Sequence, residues 1–264
     1  MSLPLHTLRR GDSALLINVP HAGTHIPAEM QAGMQARALT VPDTDWHVEK
    51  LYAFAEHSGA SLMAATHSRY VVDLNRDPEG LALYPGADNT ELCPTRDFDN
   101  AEIYRPGCQP GAGEVAECRR RYWQPYHEVL TAELAAIRAR HGFAVLLDAH
   151  SIRSVVPRFF EGRLPDLNLG TADGASCHIG VQDCAWTQLS GSSFSAVSNG
   201  RFKGGYITRH YGHPASGQHA LQLEIAQCCY MQEGPPYAWE SARAEALQSV
   251  LRKLVDALID WRPG

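Results

Sequence analysis

Phe143-Ala-Val-Leu-Leu-Asp-Ala-His-Ser151 is an apolar run of strand length that stops at Asp148, His150 and Ser151. A run without polar alternation fits a strand buried on both faces, as in a parallel sheet covered by helices. Polar groups at the carboxyl end of such a strand lie where open α/β sheets place their sites. His150 is therefore expected at the mouth of a cleft, although a histidine that merely ends a strand fits the run equally well. Working outward, Ala14-Leu-Leu-Ile-Asn-Val19 reads as a second buried strand. It runs into Pro20-His-Ala-Gly-Thr-His-Ile-Pro27, where the prolines and Gly23 oppose a helix. His21 thus also follows a strand end, and two such histidines are a stronger signal than one. The pattern predicts an α/β fold with a mixed, largely parallel sheet flanked by helices.

The rest of the chain fills in that frame. A helix is expected from Asp43 to Glu56, with Asp43 and Asp45 either capping it or reaching across the strand mouths as oxygen ligands. Ser61–Thr66 and Tyr70–Leu74 read as strands leading into Asp73-Leu-Asn-Arg-Asp-Pro78. Arg76 there can grip a carboxylate with its planar fork, or pair with Asp73 or Asp77 at the surface. Gly80 to Gly113 is an irregular excursion, a candidate lid or wall. Glu117 to Arg140 is a helix that Pro125 can kink, with Glu133 on its water-facing side and Gly142 as its cap. Leu164–Gly174 reads as a binding loop, and Lys203–Tyr211 as a strand entered through two glycines, which suit a close approach to the backbone. In the strand Ala220–Ala226, Glu224 is an acid among apolar neighbours. It is either a paired structural carboxylate or one with a raised pKa suited to proton transfer. Trp239–Trp261 is a covering helix.

Bulk properties narrow the partners. The 264 residues are 44% apolar and 20% charged, ordinary globular composition. With 23 basic and 29 acidic residues the net charge is −6, without a basic block, so neither nucleic acid nor an anionic membrane is an expected partner. No apolar run approaches about 18 residues and the N-terminus lacks a signal-like core, so a cytoplasmic protein is expected. The seven cysteines include no Cys-x-x-Cys pair, which argues for reduced thiols rather than a disulfide framework or zinc knuckle. No repeat or linker is present, and residues 1–264 are read as one domain. The oligomeric state stays open.

His21, Asp45, His150, Arg76 and Glu224 form the candidate constellation. Two histidines, one carboxylate and an open position suit catalytic zinc, and a nearby glutamate can move the proton of the attacking water. The expected cofactor is Zn2+, with Co2+, Mn2+ or Fe2+ able to substitute. The expected partner is a small acidic substrate.

Six motifs carry a further reading. Val19-Pro-His-Ala-Gly23, Asp43-Thr-Asp-Trp-His-Val48, Asp73-Leu-Asn-Arg76, Leu147-Asp-Ala-His-Ser151, Asn168-Leu-Gly-Thr-Ala-Asp-Gly174 and Gly204-Gly-Tyr-Ile-Thr-Arg209 resemble the N-formylglutamate amidohydrolase family. The likeness is to its deformylase branch of histidine degradation and covers essentially the whole chain. It implies hydrolysis of N-formyl-L-glutamate to glutamate and formate on a zinc-carboxypeptidase-like (phosphorylase/hydrolase-like) α/β fold. Asp73-Leu-Asn-Arg76 and Asp148-Ala-His150 also resemble the aspartoacylase and succinylglutamate desuccinylase relatives. By these resemblances His21 and His150 match metal ligands, Glu224 the general base, and Asn75 and Arg76 the substrate clamp. The zinc peptidases keep a glutamate three residues after the first histidine, but Thr24 stands there, so the carboxylate ligand must come from Asp45, with Glu49 and Asp43 behind it. Arg153 and Arg209 are further candidates for the substrate carboxylates, or structural ion pairs. The rival readings are a zinc acylase or carboxypeptidase acting on another substrate, and a metal-free metabolite-binding protein.

Overall fold

A computed structural model describes residues 3–82 and 88–264. Its strands are β1 (His6–Arg9), β2 (Leu15–Val19), β3 (Ser61–Ala65), β4 (Ala144–Ile152), β5 (Leu167–Gly170), β6 (Ala196–Ser198) and β7 (Gln218–Ala226). They form one mixed sheet in the order β1-β3-β2-β4-β7-β5-β6. The central strands β3, β2, β4 and β7 are parallel, while β1 and β5 run antiparallel to their inner neighbours. Every residue of β2 and β4 is buried, which is why both read as runs rather than alternations.

The helices are α1 (Ala28–Gln31), α2 (Val48–Leu51), α3 (Ala112–Cys118), α4 (Gln124–His141), α5 (Ile179–Ser190), α6 (Tyr206–Tyr211) and α7 (Ser241–Asp260). Helix α4 packs on β4, α6 on β7 and β4, and α5 against α7. Leu247, Leu251, Leu254 and Leu258 of α7 are buried at helical spacing, the stripe expected of a covering helix. No helix among the described residues is long and apolar enough to cross a membrane. All seven cysteines are free thiols.

The structure departs from the sequence reading at several elements, each for a local reason. The helix expected over 43–56 shrinks to α2 and a 3-10 turn at Ala53–His57, because His47 takes a left-handed conformation at φ 62°. Asp43 and Asp45 therefore lie in a buried loop rather than at a helix start. Tyr70–Leu74 is buried but not a strand. Its backbone is satisfied locally, Val71 N–H by the Ser68 carbonyl and Asp73 N–H by the Leu92 carbonyl. An apolar run buried as a loop has no periodicity to set it apart from a strand. Lys203–Tyr211 is a loop followed by α6, in which Ile207 and Tyr211 are buried and Arg209 and His210 exposed, a helical period. Leu164–Gly174 contains β5. Pro125 falls in the first turn of α4, where a proline is tolerated, and just before it Arg119–Trp123 widens into a π-helical turn that joins α3 to α4. Glu133 is buried and takes the Arg10 fork, Nε to Oε1 at 2.8 Å, rather than facing water. Of the excursion read as a lid or wall, residues 83–87 lie outside the described residues.

Candidate active site

Strand β4 runs further than its apolar core, through His150 to Ile152, so Asp148 and His150 are strand residues on one face. Parallel pairing with β7 sets Asp148 beside Gln222 and His150 beside Glu224. On the other side Asn18 of β2 is level with Asp148 and donates to its Oδ1 at 2.8 Å. His21 enters two residues after β2. The loop that follows returns over the strand ends, with the Asp45 N–H on the His21 carbonyl at 3.1 Å.

These elements bring His21, Asp45 and His150 together, all buried. The His150 Nδ1 lies 3.0 Å and the His21 Nδ1 3.8 Å from Asp45 Oδ2. Two donors about 2.1 Å from one ion in a tetrahedral arrangement are about 3.4 Å apart, a value between these two separations. His21 Nε2 donates to Asp73 Oδ1 at 2.8 Å, because a carboxylate only accepts. That leaves Nδ1 as a bare lone pair, and this buried atom has no hydrogen-bond partner. An orphaned imidazole nitrogen beside a carboxylate and a second imidazole is a donor set that a divalent cation would satisfy. The three residues therefore fit a divalent ion. Glu49 is exposed and Asp43 turns away, accepting from the Tyr70 hydroxyl at 2.7 Å and the Phe98 N–H at 2.9 Å.

The charges around the trio are arranged accordingly. Burial and the Arg69 guanidinium hold His21 below its ordinary pKa, in the neutral form a metal ligand needs. Burial opposes ionisation of Asp45 and Asp73, but cationic neighbours outweigh it. The His150, His21 and Arg69 side chains keep Asp45 ionised, and Arg76, His21 and Arg69 keep Asp73 far below the usual carboxylate range. Arg69 bridges the two acids, at 3.4 Å from Asp45 Oδ1 and 2.8 Å from Asp73 Oδ2. His150 is also desolvated, yet Asp148 at Nε2 (3.0 Å) and Asp45 at Nδ1 raise its pKa well above the ordinary value. The proton on Nδ1 is the one a cation would replace. Burial pushes Glu224 up to about 8, against the pull of His150, and its Oε2 accepts from Gln222 Nε2 at 3.0 Å.

The cleft over this group is lined by His21, Asp45, His150 and Glu224 at its floor and by Asn75, Arg76 and Arg201 at its side. Phe98, Phe159 and Phe202 make an apolar wall that belongs to a small core cluster of its own. Asn75 is clamped: its Oδ1 accepts from Ile207 N–H at 2.8 Å, and its Nδ2 lies 3.1 Å from His150 Nε2. Gly205 permits this, since a Cβ there would come within 2.4 Å of the Asn75 amide. The close approach read from the paired glycines is thus real, but it serves a helix start rather than a strand. Arg76 donates to Thr90 Oγ1 at 2.9 Å while lining the cleft.

Two expected substrate arginines stand elsewhere. Arg153 is not in the cleft lining and donates to Asp99 at 2.7 Å, the structural pairing considered for it. Arg209 lies in a neighbouring depression with Arg76, Asp77 and Tyr206, its Nε on the Gly204 carbonyl at 3.0 Å. Sequence reasoning missed Arg69, Arg201 and the partner roles of Asp73 and Asp148. The period of a strand was a usable signal for Asp148, two residues before His150; nothing in the loop around Arg201 marks it.

Comparison with known proteins points to one family. A family model described as N-formylglutamate amidohydrolase matches residues 13–231. An N-formylglutamate deformylase of Pseudomonas aeruginosa is 47% identical over 260 residues, 97% of this chain and 96% of its own. A second, from Pseudomonas putida, is 43% identical over 256 residues, with 97% and 96% covered. The crystal structure of an N-formylglutamate amidohydrolase from Ralstonia eutropha JMP134 superposes with a TM-score of 0.82 at 28% identity, covering 98% of each chain. From the motifs through the sheet to these full-length likenesses, the chain belongs to the N-formylglutamate amidohydrolase family.

Proposed function

We propose that this protein hydrolyses the amide of N-formyl-L-glutamate, releasing L-glutamate and formate. The observation that carries the reading is the buried His21, Asp45 and His150 set with its orphaned His21 nitrogen, beside Glu224 on the adjoining strand. Membership of the family and the deformylase names of two full-length relatives supply the substrate.

In this reading His21, Asp45 and His150 hold one zinc ion. When bound, the ion supplies Lewis-acid chemistry, polarising a carbonyl and making water nucleophilic at neutral pH. Asp73 and Asp148 fix the ring orientation of the two histidines. Glu224 takes the proton of the attacking water and delivers it to the nitrogen as the C–N bond breaks. Its raised pKa suits a group that must both accept and return a proton near neutral pH. Arg76 and Arg201 receive the glutamate carboxylates, with Asn75 steadying the acyl end and the Phe98, Phe159 and Phe202 wall excluding water.

The test is a panel of N-formyl-L-glutamate, N-formyl-L-aspartate, N-acetyl-L-glutamate and N-succinyl-L-glutamate assayed with zinc-loaded protein. Formate release from formylglutamate should lead in kcat/KM. A better acetyl or succinyl substrate would overturn the assignment, and full activity in metal-stripped protein would overturn the zinc role.

A further inference from the structure

A second constellation lies beyond the carboxyl end of β7 and belongs to no step described above. Asp166, Cys228 and Cys229 present a carboxylate oxygen and two sulfurs that all lie within 4.8 Å of one another. Two sulfurs about 2.3 Å from one ion in a tetrahedral arrangement are about 3.8 Å apart, so the set needs only slight closure to share a cation. Cys229 is buried and already donates to Asp166 Oδ1 at 3.4 Å; Cys228 is half-exposed, which leaves an entry path.

The place of a cation is now taken by a side chain. The Arg163 Nη2 sits 3.2 Å from Asp166 Oδ1 and 3.3 Å from Cys228 Sγ, and Arg163 is 63% exposed, so it can swing out into water. On the other side, the Glu233 carboxylate accepts from the Cys228 N–H at 3.0 Å and from the Ser154 N–H and hydroxyl. Contact with Cys229 lowers the Cys228 thiol to about 7, with help from Ser154 and Arg163, against burial and the Glu233 carboxylate, which both raise it. Soft sulfur donors beside one hard oxygen favour thiophilic dications over magnesium or calcium.

We propose that Asp166, Cys228 and Cys229 form a second cation site, for thiophilic dications such as Zn2+ or Cd2+, in which the metal displaces the Arg163 guanidinium. The turn that carries both sulfurs also braces the catalytic loop. Gln227 Nε2 donates to the Thr44 carbonyl at 3.0 Å, and the Tyr230 hydroxyl lies 2.7 Å from both the Trp46 carbonyl and the Ser151 hydroxyl. The new site thus shares a turn with the segment that presents Asp45, without sharing any ligand with it.

The experiment is a Cd2+ titration of the full, reduced protein, its seven thiols first counted with a thiol reagent. The readout is the ultraviolet cadmium–thiolate charge-transfer band, to which the His21, Asp45 and His150 donors contribute nothing. The expected result is a saturable band whose final amplitude corresponds to one dithiolate-bound cadmium per chain, is lost in C228S/C229S and persists in C93S/C118S. R163Q should tighten binding several-fold by removing the competing charge, and D166N should weaken it several-fold. A band that survives C228S/C229S, or none in wild-type protein with a full thiol count, overturns the site. If C228S/C229S fails to fold, the R163Q and D166N titrations decide: affinities unchanged by both mean adventitious thiol binding and overturn it equally.

Discussion

Asp73 does for His21 what Asp148 does for His150: each carboxylate takes one ring N–H and leaves the other nitrogen facing Asp45. Under the proposed zinc role, metal affinity depends on residues that never touch the metal. D73N should lower zinc affinity by about 10- to 100-fold, read by competition with a chelator, with D148N close behind. Unchanged affinity in both would remove the orienting role. E224Q keeps the size and the Gln222 neighbour but cannot carry the proton. Its kcat should fall by about 10²- to 10⁴-fold with little change in KM, measured by formate release. At this scale the sequence was readable wherever chemistry sat on a strand. His150 and Glu224 are polar residues inside buried strand runs, and their types suggested the ligand and base roles proposed for them. Asp45 was chosen from its neighbourhood, but the reason for its position, a loop folded back onto the His21 carbonyl, was not visible. The arginines were harder. Their reach is set by loops: Arg76 lines the cleft, Arg153 is paired with Asp99, and Arg201 lines the cleft without having been singled out from the sequence.

Two glycines separate what an element needs for stability from what it needs for function. Gly142 ends α4 in the left-handed region at φ 81°, and nothing lies within 4 Å of where its Cβ would be. G142A should therefore cost about 1 kcal/mol in urea unfolding and leave kcat/KM unchanged. Gly205 has an ordinary φ of −80°, but its missing Cβ is where the Asn75 amide sits. G205A should displace Asn75 from Ile207 and His150 and lower kcat/KM by at least about tenfold, with a smaller effect on folding. Equal effects of the two on activity would contradict this account of α6. The strands β2, β4 and β7 and the long helices α4 and α7 were legible because length and burial agree in them. Tyr70–Leu74 and Lys203–Tyr211 misled because short apolar stretches carry no reliable period. The broken helix after Asp45 turned on the left-handed conformation of His47, which is uncommon for any non-glycine residue and which even histidine, one of the types enriched there, adopts too seldom to be read from sequence.

At the scale of the whole molecule, the buried charges make stability depend on pH when metal is absent. Glu224 is raised to about 8 in the folded chain from 4.5 unfolded, so the folded state holds the extra proton between those values. Stability from this group is fully present below the unfolded pKa and lost as pH rises toward 8. His150, also raised, acts in the same direction above its unfolded value of 6.5. Asp45 and Asp73, both lowered, act oppositely only as pH falls below their unfolded value of 3.8, while the lowered histidines His21, His67 and His127 act oppositely as pH falls below 6.5. Metal-stripped wild-type protein should therefore lose stability relative to metal-stripped E224Q as pH rises from 5 to 8, and added zinc should shrink that difference, all by urea unfolding. A wild-type-minus-E224Q difference that stays flat or rises over this window would refute the raised Glu224 pKa. The same architecture has a thermal consequence. His150 and Glu224 sit level on adjacent central strands, whereas Arg76 and Arg201 hang from connecting segments. On gradual warming, grip on the substrate should slacken first and turnover at saturation should survive until the sheet itself melts, so KM climbs at temperatures where kcat still follows a straight Arrhenius line.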